Sequence, residues 1–238
     1  MKLEQSEILE LSEYLQMPID NCIEIYLAVS SLIQEEYRKI NPKSLEEIIN
    51  FYRNSDYYMF ELVSEFIKKY KNNNLEPIIL SACRLYPVNK ILDFFTSIGQ
   101  NLKVLKNSNY KLFVTDVQGK TFDFVKWRCK EINFTILEFE YQKDYLKDHM
   151  FDCIFWTRQK IIFNPIETFE YLDKHLLPGG ILFLFNNFEK PPVFYFQLNP
   201  KNIKILLSFI ESKRYRILLD YKNKLYVLKK DYDFIKIN

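Results

Sequence analysis

Glycine is scarce in this chain. It occurs four times in 238 residues, at Gly99, Gly119, Gly179 and Gly180, so each marks a place where the backbone needs freedom or room. Histidine occurs only twice, as His149 and His175. The four cysteines (Cys22, Cys83, Cys129 and Cys153) form no C-x-x-C pair and have no histidine at ligand spacing. That pattern excludes the common zinc arrangements, so no metal site is expected. The cysteines read as small buried apolar residues of a reducing compartment. No apolar run reaches membrane-spanning length, and the opening M-K-L-E-Q-S-E-I-L-E is too acidic for a secretory signal. The expectation is a cytoplasmic protein without a membrane partner. A formal net charge of +2 gives no basic field to attract nucleic acid. What the chain does have is 48% hydrophobic and 27% charged residues, the balance of a folded core rather than of a disordered segment.

The pattern divides the chain in two, a helical region over 1–74 and an α/β region over 75–238. In the first, Leu3, Ile8, Leu11 and Leu15 recur at helical spacing until Met17-Pro18. Asp20 is placed to cap a second helix that carries Ile23, Leu27 and Ile33 to about Ile40. Ser44 and Glu47 spell a capping box for a third. A fourth spans about Asp56–Lys71. The polar run K-N-N-N, Lys71 to Asn74, follows. Beyond it, strands are predicted at Lys90–Phe95, Leu112–Val117, Phe134–Phe139, Phe151–Trp156 and Gly180–Phe185. Helices are predicted near Gly99–Asn107, Thr121–Ile132, Pro165–His175 and Pro200–Ser212. Strands alternating with helices imply a mostly parallel sheet covered on both faces. Two final strands, Tyr215–Tyr221 and Lys224–Lys230, are separated by Lys222-Asn223 and must pair antiparallel.

Four segments carry a resemblance. The first strand and turn read I-L-D-F-F-T-S-I-G-Q-N, and the second strand reads L-F-V-T-D-V. The fourth reads F-D-C-I-F-W, and H-L-L-P-G-G-I-L-F-L precedes and enters the fifth. In this order they resemble the class I S-adenosylmethionine-dependent methyltransferases, over about Pro77 to Lys230. The resemblance implies a Rossmann-like sheet with an antiparallel C-terminal hairpin. It also implies S-adenosylmethionine as cofactor, S-adenosylhomocysteine as product, and a small molecule, peptide or protein as methyl acceptor. Asp93 would lie near the amino-acid end of the cofactor and Asp116 at its ribose hydroxyls. Phe95, Ser97 and Gly99 stand where the family carries the three glycines of I-L-D-x-G-x-G-x-G. Trp156, at the end of strand four, would join Asp93, Phe95, Ser97, Gly99 and Asp116 as a cofactor-binding residue and face the substrate cleft. No catalytic acid or base is implied, because Trp156-Thr157-Arg158-Gln159-Lys160 lacks the family's acid-histidine pair.

Each of these residues also has a plainer role. Asp116 could cap the next helix, Asp93 could serve the first helical turn, and Trp156 could fill core. Lys126, Arg128 and Lys130 are expected on a solvated helix face. His175 suits a helix C-terminus, and the P-G-G segment reads as a turn into strand five. With two family glycines replaced, a second class of function stays open: a protein of this fold that binds or scaffolds without catalysis, with a protein partner or a second copy of itself. Phe95 decides between them at the sequence level, and its ring is expected to turn down into the core.

Overall fold

The structure, a computed structural model, describes residues 5–70, 75–140, 143–156, 165–185, 200–222 and 225–231. By its internal contacts the chain forms two compact units. One comprises Met1–Ser81, Ser97–Lys106 and Asp116–Ile132. The other comprises Ala82–Thr96, Asn107–Thr115 and Asn133–Asn238.

The first unit is helical. It holds α1 (Gln5–Leu15), α2 (Ile19–Ile40), α3 (Leu45–Asn54) and α4 (Tyr58–Glu65), the last running into a π-helical turn at Phe66–Tyr70. It also holds most of α5 (Leu75–Leu85), together with α6 (Gln100–Leu105) and α7 (Lys120–Arg128). Ser44 and Glu47 form the expected capping box, each side chain accepting from the other's backbone N–H. Asp20 does not cap α2. That helix begins at Ile19 after Pro18, and Asp20 lies inside its first turn, where a carboxylate complements the helix dipole. No element was expected over 75–85, yet Leu75, Ile79, Ala82 and Cys83 bury one face of α5. The unit's core gathers around α7, which touches α1, α3 and α4. Phe122, Phe124 and Val125 are fully buried, and Tyr14 of α1 lays its ring 5.2 Å from Phe124 and 5.5 Å from Trp127.

The second unit is a seven-stranded sheet in the order β3-β2-β1-β4-β5-β7-β6. Its strands are β1 (Lys90–Phe94), β2 (Lys111–Thr115), β3 (Phe134–Ile136), β4 (Phe151–Trp156), β5 (Leu176–Phe185), β6 (Tyr215–Tyr221) and β7 (Leu225–Lys230). The first five pair in parallel, and β7 pairs antiparallel with both β5 and β6. This is the expected Rossmann-like sheet with an antiparallel C-terminal hairpin. α8 (Pro165–His175) and α9 (Pro200–Ser212) belong to this unit, α8 touching β5 and α9 touching β6. Strands β1, β4 and β5 are mostly apolar and buried along their length, as strands covered on both faces are expected to be. The strand order reverses between β1 and β4. In open α/β sheets that switch point is where ligands gather, outside the carboxyl ends of the strands.

Three expectations are corrected. Strand one stops at Phe94, so Phe95 lies beyond the pleat. Strand three closes at Ile136, three residues early. The P-G-G segment is no turn: Leu176–Phe185 is one strand, with Phe151 opposite Leu176 and Cys153 opposite Ile181. Residues 177–180 lie opposite the single residue Asp152 and form a bulge that contains Gly179, whose φ is 80°. A Cβ on Gly180 would come within 2.8 Å of the Leu177 carbonyl oxygen and 3.0 Å of that of Asp152. Arg158, the segment Lys190 to Phe196 and the hairpin residue Asn223 lie outside the described residues.

Candidate functional site

The stretch between β1 and α6 keeps an unusual backbone. Phe95, Ser97 and Gly99 have φ values of 54°, 62° and 73°, so every second residue is left-handed. These are the three positions where the resemblance places glycine. For an L-residue this conformation costs about 1–2 kcal/mol, and a bulky residue there is an outlier. Such strain persists only where surroundings over-determine it.

The surroundings are visible peptide by peptide. Thr96 donates its N–H to the carbonyl of Thr115 (3.3 Å) and its hydroxyl to Asp93 Oδ2 (2.6 Å). Ser97 donates its N–H to Asp116 Oδ2 (3.0 Å). The Ile98 carbonyl accepts from Arg128 Nη1 (2.8 Å). The Gly99 carbonyl accepts from the Lys103 N–H (3.1 Å) and lies 3.6 Å from Cys129 Sγ. Gly99 is also sterically required, because a Cβ there would meet Cys129 Sγ at 2.8 Å and Val125 Cγ1 at 3.1 Å.

Phe95 is 3% exposed. Its ring packs edge-on against Phe94 (centroids 4.6 Å apart, 83°) and against Phe139 at 5.4 Å. The ring turns inward as expected, but not by strand alternation; the left-handed turn at Phe95 itself directs it. Full burial of such a ring contributes about 1.5–3 kcal/mol, which offsets the backbone cost.

Asp116 lies just past the end of β2 and is half-buried. It does not cap α7, whose first turn follows Gly119 without a side-chain cap. Its Oδ1 accepts from the Val117 N–H (2.8 Å) and its Oδ2 from Ser97. Gly119 is needed for close approach, since a Cβ there would fall 2.4 Å from the carbonyl oxygen of Arg53 in α3. The same arginine donates from Nε to the Gln118 carbonyl (3.0 Å), so α3 fixes the segment after Asp116.

Asp93 is 2% exposed on β1 and engaged by Thr96. Trp156 is 1% exposed at the end of β4, opposite Phe94 on one side and Leu184 on the other. The expected solvated face of α7 is corrected: the Arg128 side chain is 1% exposed, with Nε 2.5 Å from Glu10 Oε2. Residues two apart on a helix point in different directions, so Lys126 can be exposed while Arg128 is buried. Arg128, Glu10, Thr96, Arg53 and Gly119 were not singled out from the sequence as contacts of these loops. Nothing local announces them, because each acts through a partner distant in the chain.

His175 ends α8, with Nδ1 2.9 Å from the His149 carbonyl and Nε2 3.3 Å from Asp144 Oδ1. His149 lies between Phe113 (5.3 Å) and Phe151 (6.1 Å), and partial burial, then nearby Lys90, holds its pKa below the ordinary value of 6.5. Within the sheet unit a cavity of about 340 Å³ is lined by Phe94, Phe139, Tyr145 and Tyr171 with Glu140, Asp144, Glu167, Lys143 and Lys174. Among the described residues no three His, Cys, Asp or Glu side chains gather as a metal site, and no helix is long and apolar enough to cross a membrane.

The fold also occurs among known structures. The fold is that of the class I methyltransferases. A putative O-methyltransferase from Klebsiella pneumoniae matches 87% of this chain and 99% of its own, with a TM-score of 0.50 and 12% identity. The ribosomal protein L11 methylase of Lactobacillus delbrueckii subsp. bulgaricus matches over 68% of this chain and 79% of its own, also at 0.50 and 12%. TehB from Haemophilus influenzae matches 70% of this chain at a TM-score of 0.49 and 15% identity, and the match spans 65% of TehB's length. No family model and no curated protein sequence matches the chain.

Proposed function

We propose that this protein is an S-adenosylmethionine-dependent methyltransferase acting on a small molecule, a peptide or a protein. The observation that carries the proposal is the alternating left-handed backbone at Phe95, Ser97 and Gly99. A chain with no use for that loop would relax it, because two of the three residues are disfavoured there.

The residues present fit the cofactor on two further counts. Asp116 stands just past the end of β2, where an acid can accept from vicinal ribose hydroxyls. Buried Gln100 Oε1 and Gln118 Nε2, on the segments that follow the loop and Asp116, find no partner among the described residues, and buried polar atoms left so are expected to meet a ligand or water. Within the helical unit, the backbone of Ser97 and Gly99 would hold the amino-acid end of the cofactor. When bound, the cofactor supplies an electrophilic methyl group, and positioning the acceptor provides most of the rate. The lack of an acid-base pair in the sequence after Trp156 is compatible with that chemistry. The four-ring cavity of the sheet unit supports an acceptor with apolar or aromatic surface.

The alternative is a binding or scaffold protein of the same fold, which the replacement of two glycines favours and the retained loop geometry opposes. A fold alone does not establish chemistry. Calorimetry with S-adenosylhomocysteine separates the two. Binding is expected, with a stabilisation of about 2.7 kcal/mol at a hundred times the dissociation constant. Asp116→Ala should weaken it by about 1–3 kcal/mol. No heat and no thermal shift at millimolar ligand would favour the scaffold.

A further inference from the structure

We infer that Arg128 and Glu10 are positioning residues for the loop after β1, doing by tertiary hydrogen bonds what glycine does by intrinsic preference. The inference deepens the methyltransferase proposal and rests on it only for its ligand-binding arm.

The geometry is specific. The αL conformation of Ser97 and Gly99 depends on the orientation of the peptide planes that flank them. The plane before Ser97 is held by Asp116, which accepts its N–H at 3.0 Å. The plane before Gly99 carries the Ile98 carbonyl, and Arg128 Nη1 holds that oxygen at 2.8 Å. The guanidinium is 1% exposed, so its charge has little help from water. Its counter-charge is Glu10, on the first helix of the chain, 2.5 Å from Nε. Glu10 also pairs with Lys103 of α6, the helix that the loop leads into. One carboxylate thus ties α1 to the helix after the loop and to the arginine that grips it. A planar guanidinium can serve a carboxylate with one edge and a carbonyl with another, which lysine cannot do in the same geometry.

The experiment asks whether glycine can replace the arginine. Arg128→Met and Glu10→Gln are made in the full chain, each alone and each with Ser97→Gly. Amide hydrogen exchange over residues 96–99 is measured without ligand, and S-adenosylhomocysteine affinity is measured by calorimetry. Each single variant is expected to speed exchange at the Ser97 amide at least tenfold and to weaken affinity at least tenfold. Adding Ser97→Gly should bring affinity back to within about threefold of the parent, because removing the strain at residue 97 lowers the cost of the whole left-handed run that the clamp holds. Loss of global stability with unchanged exchange in the loop would overturn the inference, as would affinity loss that Ser97→Gly does not repair. If Arg128→Met does not fold, Glu10→Gln, which keeps the acceptor and removes the charge, decides. A parent that binds no S-adenosylhomocysteine would sink the methyltransferase proposal, and the exchange rates would still decide the positioning role.

Discussion

At Ser97 the local and global preferences of the chain disagree. Its hydroxymethyl group makes a φ of 62° costly, while Asp116, accepting its N–H, holds it there. Removing the Cβ relieves about 1–2 kcal/mol of backbone cost and adds about 0.5–1 kcal/mol of unfolded-state entropy to be lost on folding. Ser97→Gly is therefore expected to raise stability by about 0.5–1 kcal/mol, read as a higher urea midpoint with an unchanged slope. Gly99→Ala should do the reverse by several-fold more, since its Cβ has no room beside Cys129 and Val125. At His149 the prediction concerns pH. Burial and Lys90 depress the folded pKa below the ordinary 6.5. As pH falls through about 6.5 the unfolded imidazole takes up its proton before the folded one does. The unfolded state then binds more protons, and stability drops in that window until the folded imidazole is also protonated. Above neutrality His149 contributes nothing to the pH dependence. Comparing melting temperatures at pH 7.5 and 5.5, His149→Phe should lose less than the parent; equal losses would remove His149 from the account.

Between elements, the Glu10–Arg128 pair gives an ordered set of stabilities. Deleting one partner of a buried pair strands the other, at about 3–5 kcal/mol, whereas replacing the charge by an apolar side chain of similar size can be nearly neutral. Arg128 is the more buried partner, and Glu10 is about a quarter exposed with Lys103 still beside it. Glu10→Ala should therefore destabilise more than the double variant Glu10→Ala/Arg128→Met. Chemical denaturation checks the order, and a double variant weaker than Glu10→Ala would mean that the arginine contributes by packing instead. This is also the scale at which the sequence was readable in some places and mute in others. Strands β1, β2, β4 and β5 announced themselves as apolar runs, and Ser44 with Glu47 announced a helix start, because those signals are local. α5 was not expected although Leu75, Ile79, Ala82 and Cys83 have helical spacing, and Pro77 falls in its first turn, where a proline is tolerated. Arg128 was misjudged because alternation is a strand pattern, and on a helix it spreads residues around the axis. The left-handed turns at Phe95 and Ser97 carry no sequence signal of their own. Only the spacing of an expected glycine motif pointed to them, and the distant contacts from Asp116 and Arg128 enforce them.

For the whole molecule, the interleaving of the two units decides what can be removed. The helical unit is assembled from three stretches of chain, and two of them, Ser97–Lys106 and Asp116–Ile132, are separated from the first by residues of the sheet unit. α7 has no core of its own. Phe124 and Val125 are completely buried, and the faces that bury them include α1, with Tyr14 against Phe124 and Trp127, as well as α3 and α4. Arg53 of α3 secures the Gln118 carbonyl, and Glu10 of α1 supplies the charge opposite Arg128. A fragment of residues 75–238, cut at the polar K-N-N-N run, would retain every strand of the sheet. It would also expose the apolar face of α7 and leave the Arg128 guanidinium without its counter-charge. Exposed apolar patches of that kind bind dyes and drive association. The fragment is therefore expected to elute as aggregates, or to bind 8-anilinonaphthalene-1-sulfonate strongly with poor near-ultraviolet circular dichroism, while the full chain does neither. Supplying residues 1–74 as a separate chain should restore part of the native signal, since the missing contacts are side-chain packing and ion pairs. A monomeric fragment with a sharp melting transition would show instead that α6 and α7 are stable without the first four helices, and that those helices serve a purpose other than holding the loop after β1 in shape.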